Sequence, residues 1–81
     1  MVTILNRRQH GFDVLIHTND HPPPHVHVRK GNQHVRVYLD TLRITMNYGF
    51  SNRELRKIRE LIRANHAAIA FEWERIHGKI R

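Results

Sequence analysis

The nine-residue stretch DHPPPHVHV, residues 20–28, holds three histidines and three prolines. Imidazole nitrogens bind transition metals, transfer protons near neutral pH and attract anions when they are charged. The stretch is therefore typical of three kinds of site: a metal site, a catalytic site and a surface for an anionic partner. A fourth interpretation is a rigid corner whose histidines bond to the backbone, because proline fixes φ and has no backbone donor.

The metal interpretation depends on the spacing of His25 and His27. Side chains two residues apart on a strand project from the same face, so both rings can reach one ion, and nitrogen ligands suit zinc. A third ligand would come from His21 or Asp20 in the proline loop, whose stiffness lowers the entropy lost in gathering ligands, or from His17 of the preceding strand. The preferred set of metal ligands on this interpretation is His21, His25 and His27, and a divalent metal such as zinc is the cofactor.

The catalytic interpretation uses His25 and His27 as general base and general acid in phosphodiester cleavage. Arg29 and Arg36 would hold the phosphate and stabilise its developing charge, and Tyr38 would be an additional donor. The protein would then be a metal-independent ribonuclease. The sequence alone does not decide whether it is an enzyme.

The binding interpretation requires no reaction. The chain has 81 residues and a formal charge of +7 with histidine neutral, which favours anionic partners such as RNA, DNA or an acidic protein. Cationic side chains with an aromatic ring among them suit a nucleic-acid backbone. The expected binding residues are Asp20, His21, Arg29, His34, Arg36 and Tyr38.

Length and composition predict one small domain, residues 1–81. The absence of cysteine excludes disulfides and thiolate metal sites and suits a reducing cytoplasm, where we expect the protein to act. No apolar run approaches the length of a membrane span or a signal-peptide core, so we expect no membrane partner. A chain this short buries little core, and a homodimer or a bound partner would add stability.

Strands are predicted within about residues 2–46, and the central hairpin is the clearest of them. HVHVRK and QHVRVYL flank Gly31-Asn32, which suits a two-residue turn with glycine first. One register separates valines from polar residues on both strands. It pairs Lys30 with Gln33, Arg29 with His34, Val28 with Val35, His27 with Arg36, Val26 with Val37 and His25 with Tyr38. The polar face is expected to be open to solvent or a partner, and residues 42–46 (LRITM) are predicted to add a strand.

One long helix is predicted over about residues 51–77, with its apolar side covering the valine face. Ser51 and Glu54 form a capping-box pattern, and Gly78 suits the end of the helix. Since neither glycine nor proline interrupts the segment, we favour one helix over a break near Asn65. The predicted fold is therefore α+β: a small antiparallel sheet of four to five strands packed against one long C-terminal helix.

A second apolar stripe lies on the other side of this helix. Ala67, Ala68 and Phe71 fall on the side away from the predicted core. A solvated helix needs no such stripe, and Phe71 is therefore the first candidate for contact with a partner or a second subunit.

The string NDHPPPHVHVRKG, residues 19–31, followed by a short strand pair and a helix with Trp73 near its end, resembles the domain of unknown function family 4160. The resemblance covers nearly the whole chain. It implies that the gene often neighbours a second small family of unknown function, number 2442, in an arrangement like a two-gene toxin–antitoxin module. The expected partner is then a cognate small protein, or a nucleic acid, bound through the His/Arg face of the sheet. The resemblance implies no reaction.

Overall fold

Within residues 2–19 and 21–78, which the computed structural model describes, five strands form one sheet in the order β1-β2-β3-β4-β5. Every neighbouring pair is antiparallel. The strands are β1 (Val2–Leu5), β2 (Asp13–Ile16), β3 (His25–Lys30), β4 (Gln33–Tyr38) and β5 (Ile44–Tyr48), and the helices are α1 (Arg7–His10), α2 (Asn52–Ala64) and α3 (His66–His77). The predicted α+β class and antiparallel sheet are confirmed, and the short helix α1 is an addition to them.

The β3–β4 hairpin has the predicted register at all six pairs, from Lys30 opposite Gln33 to His25 opposite Tyr38. Gly31 occupies the first turn position with a φ of 60°, which glycine adopts without the clash of a Cβ. The alternation of valine and polar residues therefore divides the hairpin into two faces of opposite character.

The hydrophobic core lies between the valine face and the two C-terminal helices. All four hairpin valines have no exposed surface, and they cluster with residues of α2 and α3. The helix residues at the centre of this cluster are Ile58, Ile62, Ile69 and Trp73, and each is 1% exposed or less. Full burial of such a side chain contributes about 1.5–3 kcal/mol, so this contact fixes the helices on one side of the sheet.

The prediction of one long helix is wrong, because Asn65 separates α2 from α3. Its φ and ψ of −115° and 19° are not helical, and its side-chain amide donates to the Leu61 carbonyl at 2.9 Å. An asparagine side chain that competes for backbone groups favours helix ends over helix interiors. Ile62 and Ile69 on either side of the break are both fully buried, so each helix presents its own apolar side to the sheet.

The predicted capping box at the start of α2 is confirmed. The Glu54 backbone N–H donates to Ser51 Oγ at 3.2 Å, and the Ser51 N–H donates to Glu54 Oε1 at 3.1 Å. The Gln33 amide also donates to Glu54 Oε1 at 3.2 Å, which ties the helix start to β4.

Strand β5 differs from the predicted strand over residues 42–46. It runs from Ile44 to Tyr48, and its register against β4 shifts between His34 and Arg36. Met46 has a φ of 53° within this irregularity, as is common where an extra residue bulges from a strand. The shift places Tyr48 opposite His34.

None of the described helices is long and apolar enough to cross a membrane.

Candidate functional site

The face of the sheet opposite the valines carries the predicted binding residues. His25, His27 and Arg29 of β3 pair across the hairpin with Tyr38, Arg36 and His34 of β4. Arg29 is exposed, while the three β4 side chains are half-buried.

His25 and His27 are buried, with 5% and 7% of their surface exposed, so the expectation that this face is open is wrong at these two positions. His17 explains part of the burial of His27, because its ring stacks on that of His27, and Leu15, which lies opposite His27 in β2, is itself only 5% exposed. The two histidines therefore lie on the face opposite the valines, which we call the outer face, but their side chains are buried.

Four rings cross the outer face, and we call them the ring row: His17, His27, His34 and Tyr48. His17 stacks on His27 with ring centroids 3.9 Å apart and planes 12° apart. The planes of His27 and His34 differ by 7°, and those of His34 and Tyr48 by 3°. The ring row therefore runs from the end of β2 across β3 and β4 to the edge strand β5.

A hydrogen bond links His27 and His34 within the ring row. His27 Nδ1 and His34 Nε2 are 3.2 Å apart, whereas the ring centroids are 5.4 Å apart. The centroid separation exceeds the N···N distance by about two ring radii, so these nearly coplanar rings meet edge to edge. One nitrogen donates and the other accepts, which means that the pair holds one proton between its rings.

The surroundings of His34 favour its neutral form. Burial lowers the pKa of His34 below the ordinary 6.5, and the charges of Arg29, His17 and Arg36 lower it further. Both causes disfavour the imidazolium, since burial removes its hydration and the cations repel it. The Nε2 atom of a neutral His34 is able to accept a hydrogen bond from the N–H of His27 Nδ1.

His25 bonds to the turn of three prolines that precedes it, residues 22–24, which we call the proline corner. Its Nδ1 donates to the Pro23 carbonyl at 2.9 Å, and its ring lies 5.5 Å from the rings of both Tyr38 and Trp73. This is the backbone contact expected for a rigid corner. The Pro22–Pro23 peptide bond is cis. His25 therefore connects the proline corner to the core tryptophan.

Two clefts open on the outer face. The first, which we call the proline cleft, has a volume of about 490 Å³ and is lined by His17, Asn19, His21, Pro22, Pro23, His25, His27, Arg36 and Tyr38. The second, the hairpin cleft, has a volume of about 470 Å³ and is lined by His17, Arg29, Gly31, Asn32, Gln33 and His34. The predicted residues are thus divided between two adjoining clefts, with Arg29 and His34 apart from the others. Asp20 lies outside the described residues.

Arg36 is the arginine that lines the proline cleft. Its Nη2 contacts Met46 Sδ, and its Nε is buried with no hydrogen-bond partner among the described residues. A guanidinium has five N–H donors and binds carboxylate or phosphate through two of them at once. Arg36 is therefore the cation of the proline cleft best suited to an anion.

The residues predicted to bind a metal lie together in the proline cleft. His25 and His27 are neighbours with ring centroids 5.3 Å apart at 73°, and His21 lines the same cleft. Among the described residues, however, no three His, Cys, Asp or Glu side chains are grouped so that they would hold a metal ion. The zinc site stays a prediction.

The residues predicted to contact a partner are on the surface. Phe71 is 64% exposed, and Ala67 and Ala68 are exposed as well. Phe71 and Ala68 line a groove of about 350 Å³ together with residues 3–5 of β1 and Glu72.

His17 and Tyr48 complete the site, although His17 was predicted only as an alternative metal ligand and Tyr48 was not predicted at all. The alternation of residues 12–17 places His17 on the same side as Leu15, so the sequence carries a signal for it. Tyr48 gives no such signal, because its position depends on the register shift in β5.

Among known proteins and protein families, one family model matches the chain. No curated protein and no solved structure matches the chain. The model of the domain of unknown function DUF4160 matches residues 11–74, a span that includes the proline corner, β2 to β5, α2 and most of α3. The chain therefore belongs to the DUF4160 family.

Proposed function

We propose that this protein binds nucleic acid through the outer face of its sheet, as one component of a toxin–antitoxin-like two-gene module. The observation that carries the proposal is the composition of the proline cleft, which brings His17, His25 and His27 together with Arg36 and Tyr38. Imidazole, guanidinium and phenol groups are all donors to phosphate oxygens.

Size and charge support the proposal. The volume of about 490 Å³ falls within the range of clefts that hold small ligands, about 300–1,000 Å³. The formal charge of +7 attracts a polyanion and accelerates its encounter with the protein. The Arg29 side chain in the adjoining hairpin cleft adds a second cation along the same face.

Binding is tested by the fluorescence anisotropy of labelled RNA and DNA oligonucleotides in salt from about 50 to 200 mM. Arg36→Gln should weaken binding about tenfold and reduce the salt dependence by about one counterion. Arg29→Gln should act in the same direction. The matched control is Arg53→Gln, which makes the same change at an exposed position of α2 and should leave affinity within about twofold at the higher salt.

Equal losses in Arg36→Gln and Arg53→Gln would contradict the proposed site. Absence of binding by the folded wild-type protein would overturn nucleic-acid recognition altogether, and the cognate small protein would become the preferred partner. Co-expression with the neighbouring gene tests that partner directly. A two-gene module predicts a stable complex of the two proteins, and growth arrest when one gene is expressed alone.

The proline cleft also favours a second function, metal-independent cleavage of RNA. His25 and His27 lie in one cleft with Arg36, so a base, an acid and a phosphate clamp are adjacent. The base would remove the 2′-hydroxyl proton, and the 2′-oxygen would form a bond to phosphorus as the bond to the 5′-oxygen breaks. The acid would protonate that 5′-oxygen, which gives a 2′,3′-cyclic phosphate and a 5′-hydroxyl end.

Cleavage requires the 2′-hydroxyl, so a single deoxynucleotide at the cut position should block it. EDTA should leave the rate unchanged, whereas loss of activity with EDTA and recovery with zinc would support the metal interpretation. His27→Gln should abolish cleavage in a folded protein, and activity that survives in the double variant with His25→Gln would refute the mechanism.

A further inference from the structure

We propose that the two clefts and the exposed Tyr48 ring form one continuous track for a single-stranded nucleic acid, with Tyr48 stacking on an unpaired base. This inference rests on the proposed binding function and specifies its substrate class. It adds a binding residue, Tyr48, and a length requirement of at least two nucleotides.

The two clefts adjoin, since His17 lines both of them. The proline cleft includes Tyr38 and His25 at one end of the β3–β4 hairpin, and the hairpin cleft includes Gly31 and Asn32 at the other. A strand with successive phosphates therefore passes along β3, with Arg36 near one phosphate and Arg29 near the next.

Tyr48 lies beside this track and does not contribute to the core. Its side chain is 58% exposed, although its ring is parallel to that of His34 within 3°. Because β5 is an edge strand, no further strand of the described sheet covers the outer side of Tyr48. A base laid on the exposed face of the Tyr48 ring would stack on it, and base–aromatic stacking is favourable for every base.

The geometry selects single strands over duplexes. A base that stacks on Tyr48 must have a free face, whereas the bases of a duplex are already stacked and paired. Asn32 in the turn is exposed and lines the hairpin cleft, where its amide is both donor and acceptor for the edge of an unpaired base. RNA and DNA single strands share this chemistry.

The test uses the wild-type protein and unlabelled competitors against a fluorescent single strand. The competitors are RNA and DNA strands from one nucleotide to about eight, together with duplexes of the same sequences. Affinity should rise when a second nucleotide is added, and the duplexes should bind at least about tenfold more weakly than the single strands. A higher affinity for RNA would indicate a contact to the 2′-hydroxyl.

Three variants test the stacked base. Tyr48→Ala and Tyr48→Leu should each weaken single-strand binding about tenfold, while Tyr48→Phe should stay within about twofold of wild type. The leucine variant retains apolar bulk, so a loss in both variants cannot come from a poorly folded β5. The matched control is Phe71→Ala, which removes an equally exposed ring from the groove beside β1 and should have no effect.

The outcomes separate this inference from the function on which it rests. If no oligonucleotide binds, the proposed function fails. If oligonucleotides bind but duplexes compete as well as single strands, the track is overturned while nucleic-acid binding stands. Equal effects of Tyr48→Ala and Phe71→Ala would likewise remove Tyr48 from the site.

Discussion

His25→Ala should destabilise the protein by about 3 kcal/mol, because this histidine is part of the scaffold as well as of the proline cleft. The ring is 5% exposed and donates to the Pro23 carbonyl at 2.9 Å. It also packs against Tyr38 and Trp73, with 5.5 Å between ring centroids in each case.

The magnitude follows from two contributions. A hydrogen bond within a protein contributes about 1 kcal/mol net, and burial of a side chain of this size contributes about 2 kcal/mol. Alanine removes both. Since the whole free energy of unfolding of a domain is about 5–15 kcal/mol, the variant should fold at room temperature but with a much smaller margin of stability.

Urea unfolding measures the loss, and Trp73 is a suitable probe because it is the single tryptophan, is buried and lies next to His25. Circular dichroism should give the same midpoint if unfolding is two-state. The matched control is His21→Ala in the same segment. His21 is exposed, so its removal should change the free energy of unfolding by less than about 0.5 kcal/mol.

A His25→Ala variant that unfolds at the same urea concentration as His21→Ala would refute this reasoning. It would mean that the bond to the proline corner and the contact with Trp73 contribute nothing net. His25 would then be best explained by function alone.

Three further predictions concern stability. As the pH falls below about 6.5, the unfolded chain should bind a proton that His34 resists in the folded state, because burial and nearby cations lower the pKa of His34. The free energy of unfolding, measured with urea, should therefore decrease as the pH is lowered, and it should decrease less in His34→Gln. Parallel pH dependence in the two proteins would contradict this. Thr45→Val should raise the free energy of unfolding by about 1 kcal/mol, since Thr45 Oγ1 is buried without a partner among the described residues; Thr41→Val at an exposed position is the control, and an equal gain there would count against it. Ser51→Ala should remove the capping box, which costs about 1 kcal/mol of stability, and should therefore lower the thermal midpoint. An unchanged midpoint would show that Glu54 alone caps the helix.

The register of the β3–β4 hairpin could be predicted because its determinants are local. A two-residue turn fixes one pairing, and that pairing also separates valines from polar residues. Both signals lie within residues 25–38, and the structure reproduces the predicted pairs. The capping box at Ser51 could be predicted for the same reason, since its two partners are three residues apart.

The burial of His25 and His27 could not be predicted, because it depends on residues distant in the sequence. Leu15 of β2 lies opposite His27, and the Trp73 ring of α3 lies 5.5 Å from the His25 ring. Tyr48 was missed for a related reason: a positive φ at Met46 shifts the register of β5, and no glycine marks the position. The break at Asn65 does have a local cause, the competition of the asparagine side chain for backbone groups. It was not predicted because the apolar periodicity continues through the segment, which contains no glycine or proline.

The burial of the two histidines also decides which variants are informative about function. Replacing His25 or His27 by alanine removes packing together with any chemistry, so a loss of binding in these variants has two explanations. The side chains of Arg29 and Tyr48 are exposed, and their replacement changes the clefts while leaving the core intact. If the outer face binds a single strand along the proposed track, Arg29→Gln and Tyr48→Ala must lose affinity at unchanged stability. If only the buried histidines contribute to function, the His27→Gln variant, which roughly conserves side-chain volume, must lose function while Arg29→Gln and Tyr48→Ala retain it. The site would then be confined to the proline cleft.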